Sequence, residues 1–164
     1  MATVAMQEAS AKMSSSATIV GWVLRLIAAV ILLQTLFFKF TGAPESVYIF
    51  TKLSEFLGHL AAPVFGADFA GMLAQSEAFS RIGSGLMELV AAVLLIWPRY
   101  PWAGAILAFA ATAGAIASHL TFLGIEVQGD HGLLFALAVT VVACSLGVLI
   151  LYRTQLPIVG RRFQ

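Results

Sequence analysis

The stretch TIVGWVLRLIAAVILLQTLFF, residues 18–38, has one charged side chain, that of Arg25, in about twenty residues. At 1.5 Å per residue, a helix of this length crosses the roughly 30 Å of hydrocarbon in a bilayer. Lipid offers no hydrogen-bond partner to an unpaired backbone amide, so a segment that crosses it is helical. The stretch therefore predicts a transmembrane helix.

Three further apolar segments have the same character, and we expect them to span the membrane over residues 82–97, 102–123 and 132–151. The third of the four spans is rich in Ala and Gly, which let neighbouring backbones approach closely, so we expect it in the middle of the bundle. Of the 164 residues, 60% are hydrophobic and 10% are charged, against roughly 25% charged in soluble domains. The sequence therefore predicts one all-α domain over residues 1–164, a polytopic four-helix transmembrane bundle.

The long connection between the first two spans, about residues 41–80, has an amphipathic pattern. From Pro44 to Leu57, the side chains of Val47, Phe50, Leu53 and Leu57 share one face of a helix, as in helices that lie at the membrane interface. We expect a second short helix or turn after it, with Asp68 as its N-cap. The connection is therefore predicted to be an interfacial outer segment.

Basic residues indicate an orientation. With four spans, Lys12, Arg99, Arg153, Arg161 and Arg162 fall on one side of the membrane, which the positive-inside rule assigns to the cytoplasm. Both termini are then cytoplasmic. Arg25 lies near that side, and we expect its long side chain to reach back to the cytoplasmic surface.

Glu88 is the strongest candidate for a functional residue. A carboxylate inside the membrane must be paired or protonated, and either Lys39 or Arg81 is a base at a suitable height, with Gln34 and His119 as hydrogen-bonding neighbours. One interpretation is a structural ion pair between the first two spans. The other is a polar group at the mouth of a pocket, which binds a quinone or lipid head or passes protons.

Three more polar residues belong to the same outer half of the bundle. His119 is a candidate proton carrier or ligand, or a helix-end residue that bonds to a carbonyl. Asp130 and His131 open the fourth span, where Asp130 stands in the position of an N-cap. His59, His119 and His131 form no short metal-binding motif, so we expect no metal site.

Other classes of function lack their sequence signatures. A net charge of +1 without a basic run argues against binding of nucleic acid. We find no phosphate loop, nucleophile elbow or dinucleotide fingerprint. The single cysteine, Cys144, cannot form an intramolecular disulfide.

The chain resembles the DoxX-like family of integral membrane proteins in two places. The first span ends in FKFTG, residues 38–42, and the second reads RIGSGLME, residues 81–88, followed by LLIWP, residues 94–98. In that family a base near the end of the first helix and a glutamate in the second recur within a four-helix bundle. Lys39 and Glu88 match these two features, and the resemblance covers roughly residues 24–152.

The resemblance implies a setting in the bacterial cytoplasmic membrane. Members of the family are associated with membrane-bound oxidoreductase systems, including thiosulfate-to-quinone electron transfer, and others resemble assembly factors. We therefore expect either a membrane subunit of a redox system, with a quinone as the candidate cofactor in an outer pocket, or a non-catalytic assembly or interaction protein. Its partners would be membrane lipid and either another protein or a second copy of this chain.

Overall fold

The computed structural model of the protein describes residues 15–156, which contain six α-helices and no strand. The α-helices are α1 (Ser15–Thr41), α2 (Pro44–Phe65), α3 (Ala67–Ala74), α4 (Glu77–Ile96), α5 (Pro101–Ser118) and α6 (Leu133–Leu151). A π-helical turn, His119–Leu123, extends α5, and a 3₁₀ turn, Arg153–Gln155, follows α6.

Four of these elements are long and apolar enough to cross a membrane: α1, α4, α5 with its π turn, and α6. They confirm the predicted four-helix membrane bundle. The boundaries agree within three residues except at the start of α4, which begins at Glu77, five residues before the expected position. We call the end of the bundle that holds the α4–α5 turn the inner end, and the opposite end the outer end.

The bundle is a ring in which α1 packs against α4 and α6, and α5 packs against the same two helices. Small and aliphatic side chains form the core between them, and they are concentrated in the inner half: Ala28, Ala29, Leu32, Ala91, Ala92, Leu95, Ala105, Ala108, Val141, Cys144 and Val148. At Gly104, a Cβ atom would lie 2.4 Å from the backbone nitrogen of Leu95. The α4 and α5 backbones therefore meet closely in the inner half.

The prediction that α5 lies in the middle of the bundle is wrong. In the apolar 18-residue stretch of this span, 17% of the residues are buried, whereas 28% are buried in the corresponding stretch of each of the other three spans. In the inner half its small residues do pack against α4, as Gly104 shows. In the outer half the small residues leave space that no neighbouring helix fills.

The outer segment forms two helices, and the first is longer than predicted. Helix α2 continues past Leu57 to Phe65, with Pro63 in its last turn. It contacts α1, α3, α4 and the π turn after α5, so it lies at the outer end of the bundle. Asp68 stands in the first turn of α3, but Gly66 is the N-cap residue and no side chain caps it, which corrects the expected role of Asp68.

Arg25 does not reach the surface. Its side chain is 2% exposed and donates hydrogen bonds to two carbonyl oxygens at the end of α4, those of Leu95 and of Ile96, the latter at 2.9 Å. The guanidinium also lies 3.9 Å from the centre of the Trp22 ring and 3.4 Å from the Tyr152 hydroxyl. Helix C-termini attract cations, so Arg25 joins α1, α4 and the end of α6 from inside the bundle.

The basic residues used for the orientation are only partly described. Arg99 and Arg153 lie at the inner end, after α4 and after α6 respectively. Lys12, Arg161 and Arg162 lie outside the described residues. The cytoplasmic location of the inner end therefore stays a prediction.

Candidate ligand-binding cavity

A cavity of about 530 Å³ occupies the outer half of the bundle, between α1, α4, α5 and α6. Most of its wall consists of apolar side chains. Cavities that hold drug-sized ligands measure roughly 300–1,000 Å³ and combine apolar walls with a few polar groups. The small side chains of α5 create much of the space, because Ala110, Ala111, Gly114 and Ala115 all line it.

Helix α2 forms the roof of the cavity. Its residues Glu45, Ser46, Ile49, Phe50 and Leu53 line the cavity, and their spacing of one, three and four positions places them on one helix face. Phe50 and Leu53, two of the four residues of the predicted apolar face, line the cavity, and the polar residues Glu45 and Ser46 line it beside them.

An ion pair between Lys39 of α1 and Glu88 of α4 lies in the cavity wall. The distance from Lys39 Nζ to Glu88 Oε1 is 2.5 Å, and the two side chains are 13% and 9% exposed. Lys39 also donates to the Ser84 hydroxyl at 3.2 Å, and Thr35 donates to Glu88 Oε2 at 2.9 Å. A charge in hydrocarbon requires such partners, so these four side chains form one connected polar group.

Thr35 and Ser84 were missed by the sequence analysis, although helical spacing could have identified them. Thr35 precedes Lys39 by four residues and Ser84 precedes Glu88 by four, so each pair shares a helix face. Gln34, the expected neighbour, precedes Lys39 by five residues, which places it about 140° around the helix. Its side chain is exposed, so the prediction that it contacts Glu88 is wrong.

The Thr35 hydroxyl has a single proton and two acceptors within reach, Leu32 O at 2.8 Å and Glu88 Oε2 at 2.9 Å. It donates to one of them at a time, so Thr35 stands between the backbone of α1 and the carboxylate of Glu88.

Arg81 lies beside this polar group but is not part of the cavity wall. Its Nε atom donates to Glu77 Oε1 at 2.6 Å, and its Nη1 atom donates to the carbonyl oxygen of Lys39. It therefore pairs with a residue of its own helix and bonds to the C-terminal end of α1, where a cation is favourable. Of the two bases considered as partners of Glu88, Lys39 forms the ion pair and Arg81 does not.

His119 and Asp130 line the cavity from the opposite side. His119 is 6% exposed, and its Nδ1 atom lies 2.7 Å from the carbonyl oxygen of Gly124. A carbonyl only accepts, so in the neutral ring Nδ1 carries the proton and Nε2 is an acceptor. This is the helix-end bond to a carbonyl that was one of the sequence-based alternatives.

Asp130 caps the start of α6, although from two residues ahead of the N-cap position, which Gly132 occupies. Its carboxylate accepts hydrogen bonds from the backbone N–H groups of Val127, Gly132 and Leu134 at 2.8, 3.0 and 2.9 Å. Burial acts to raise the pKa of Asp130, but these bonds and the charge of nearby His119 together lower it below its ordinary value.

His131 does not join the cavity. Its side chain is 90% exposed, and its Nδ1 atom lies 3.7 Å from Glu126 Oε1. The residue has a φ of +53°, in the left-handed region, which turns the chain at the entrance to α6. Of the predicted site residues, the structure therefore brings Lys39, Glu88, His119 and Asp130 to the cavity, and leaves Gln34, Arg81 and His131 outside it.

The hydroxyl of Ser46 in the roof has no hydrogen-bond partner within residues 15–156. The residue is 5% exposed and lines the cavity. A buried hydroxyl without a partner costs free energy, and a molecule in the cavity can supply the missing partner. Three other buried polar atoms in this part of the chain also have no partner, those of Ser54, Ser145 and Gln155, but these residues do not line the cavity. Over the same part of the chain, no group of three or more His, Cys, Asp or Glu side chains could hold a metal ion.

No protein-family model matches the chain, and comparisons with curated proteins and with solved structures give no significant match.

Proposed function

We propose that the protein binds a lipophilic molecule of about the size of a quinone head group in the outer cavity, as the membrane subunit of a redox system. The observation that carries the proposal is the Ser46 hydroxyl, buried and unpartnered in the roof of a largely apolar cavity of about 530 Å³. A ligand with a polar head and an apolar body would satisfy this hydroxyl and remain in contact with hydrocarbon.

The polar group opposite the roof supports a quinone-like head. Lys39 uses one N–H on Glu88 and one on Ser84, which leaves a third for an acceptor on the ligand. The Glu88 carboxylate and the Thr35 hydroxyl form a hydrogen-bonded pair beside Lys39, and a quinone, which takes up protons when it is reduced, needs such polar groups nearby. The resemblance to the DoxX-like family, which we propose as its family, supports the redox setting.

A second function has its own support. The Lys39–Glu88 pair joins α1 to α4 and is completed by Thr35 and Ser84, so it can stabilise the bundle without any ligand. In an assembly or interaction protein, the cavity would hold bulk lipid only. The two functions differ in whether the protein retains one defined lipophilic molecule.

The test is to extract the protein gently from its native membrane and identify the co-purifying lipophilic molecules by mass spectrometry. Two matched variants sharpen it. Gly114→Leu and Gly83→Leu both place a side chain on an exposed helical position where a Cβ atom meets nothing within 4 Å, but only Gly114 lines the cavity. Both replace a helical glycine, so their effects on helix propensity are similar.

We expect a single lipophile, enriched over bulk phospholipid, with wild-type protein and with Gly83→Leu, and its loss with Gly114→Leu. Only bulk phospholipid with all three proteins would contradict the proposed binding and favour the assembly function. A co-purifying oxidoreductase subunit would support the redox setting specifically.

A further inference from the structure

The charged groups that line the cavity suggest which head groups it accepts. The wall contains one cation, Lys39, and three carboxylates, those of Glu45, Glu88 and Asp130. His119 is the remaining titratable side chain of the wall, and with His119 protonated the wall still has two cations against three carboxylates. Negative charge therefore exceeds positive charge around the cavity.

Each element that could attract an anion already faces a carboxylate of the chain itself. The ammonium group of Lys39 pairs with Glu88 at 2.5 Å. The N-terminus of α6 is occupied by Asp130, which accepts two of its N–H groups, from Gly132 and Leu134. The N-terminus of α2 has Glu45 in its first turn. Ammonium groups and helix N-termini are common anion sites in proteins, and all three are taken here.

Glu45 adds a carboxylate that has no cationic side chain as its partner in residues 15–156. It forms none of the ion pairs or side-chain hydrogen bonds found in this part of the chain, and it stands next to the unpartnered hydroxyl of Ser46 in the roof. A ligand head that reaches Ser46 must therefore approach a carboxylate. An anionic head would be repelled there, whereas an uncharged or cationic head would not.

We infer that the cavity accepts amphiphiles whose head group is uncharged or cationic and rejects those whose head group is anionic. The inference rests on the proposed function and specifies its ligand. It excludes fatty-acid anions and anionic phospholipids as the resident molecule, and it includes neutral heads such as quinones.

The test uses the full-length protein in nanodiscs of phosphatidylcholine and three photoactivatable probes that share one diazirine-bearing dodecyl chain. Their heads are a hydroxyl, a trimethylammonium and a sulfonate, and the sulfonate stays ionised throughout the usual pH range. Mass spectrometry measures labelling of the roof near Ser46. Labelling of Phe37, which is 68% exposed and outside the cavity wall, corrects for partition of each probe into the bilayer.

We expect corrected labelling of the roof by the hydroxyl and ammonium probes to exceed that by the sulfonate probe by about tenfold or more. Glu45→Gln should raise labelling by the sulfonate severalfold. Glu126→Gln, which removes an exposed outer carboxylate away from the cavity wall, should not.

Two results would overturn the inference, and they differ in what else they overturn. Equal enrichment of all three probes in the roof would contradict the inferred rejection of anionic head groups and leave the proposed binding intact. Failure of every probe to label the roof above Phe37 would contradict the proposed binding itself.

Discussion

Helix α1 has two bases that face into the bundle, the buried Arg25 near its inner end and the largely buried Lys39 near its outer end. They are separated by fourteen residues, close to four helical turns, so they lie on nearly the same face. Arg25 bonds to backbone carbonyls in the packed half of the bundle. Lys39 pairs with a carboxylate in the wall of a cavity. A buried charge in a membrane helix therefore marks a candidate site only when space for a ligand lies beside it.

The chemistry of the two side chains suits the two places. The planar guanidinium of Arg25 reaches two carbonyl oxygens at once and stacks on the ring of Trp22. The ammonium of Lys39 is a compact charge that one carboxylate neutralises while an N–H remains free. The inner base is suited to fixing helices together, and the outer base to contacting a ligand.

The largest expected effect is a difference in stability between substitutions in the two halves of α5, the inner half packed against α4 and the outer half beside the cavity. In Gly104→Leu the new Cβ would lie 2.4 Å from Leu95 N and 2.8 Å from Ala91 O, so α4 and α5 must separate. We expect no folded protein by size-exclusion chromatography in detergent. The same substitution at Gly114 enters open space and should give a folded protein. Comparable yields of folded protein from the two variants would contradict the difference between the halves.

Removal of Arg25, the inner base, should destabilise the folded protein nearly as much. Arg25→Met leaves the carbonyl oxygens of Leu95 and Ile96 without their buried donor, and we expect a loss of about 3 kcal/mol in the free energy of unfolding. Thermal melting in detergent measures it. The matched control is Arg99→Met, an exposed base at the same end, which should change the free energy by less than about 0.5 kcal/mol.

At the outer end, the cost should depend on whether one partner or both are removed. Lys39→Met leaves Glu88 buried without its cation, and we expect it to destabilise the protein by about 3 kcal/mol. The double variant Lys39→Met, Glu88→Leu removes both charges and should lie within about 1 kcal/mol of wild type. If the double variant melts as low as the single variant, the pair is required for folding rather than for the cavity.

The smallest effect concerns the cap of α6. Because the pKa of Asp130 is lowered in the folded protein, its contribution to stability is present above the unfolded value of about 3.9. The contribution is lost as the pH falls through the folded pKa. Asp130→Asn removes the charge and one of the two acceptor oxygens, so it should cost about 1 kcal/mol at neutral pH, as loss of one hydrogen bond does, and progressively less in acid. Melting curves across pH, with Glu126→Gln as the control, would reveal a pH-independent loss if the carboxylate charge does not matter.

The sequence predicts the membrane helices well because a long apolar segment in lipid satisfies its backbone hydrogen bonds by forming a helix. The four spans and the Lys39–Glu88 pair both follow from the cost of polar groups in hydrocarbon. The same reasoning assigned Arg25 to the surface, because it considered the length of the side chain and not the carbonyl oxygens at the end of α4. Those acceptors come from another helix about seventy residues away in the chain.

Only part of the cavity could be predicted from the sequence. An outer pocket was expected from the convergence of polar residues, but its roof depends on where α2 lies, which its own amphipathic pattern does not determine. In the sequence, Gly104 and Gly114 both predict only that there is space beside the helix. A neighbouring backbone fills that space at Gly104, and none fills it at Gly114.

The most direct test of the account is the rise in melting temperature that a short-tailed quinone produces in wild-type protein and in variants of each end of α1. Bound ligand stabilises the folded state, by about 2.7 kcal/mol at a hundred times its Kd. We predict that the rise persists in Arg25→Lys, however low its starting stability, and disappears in Lys39→Met, Glu88→Leu. An equal rise in both variants, or none in wild type, would contradict the assignment of binding to the outer end.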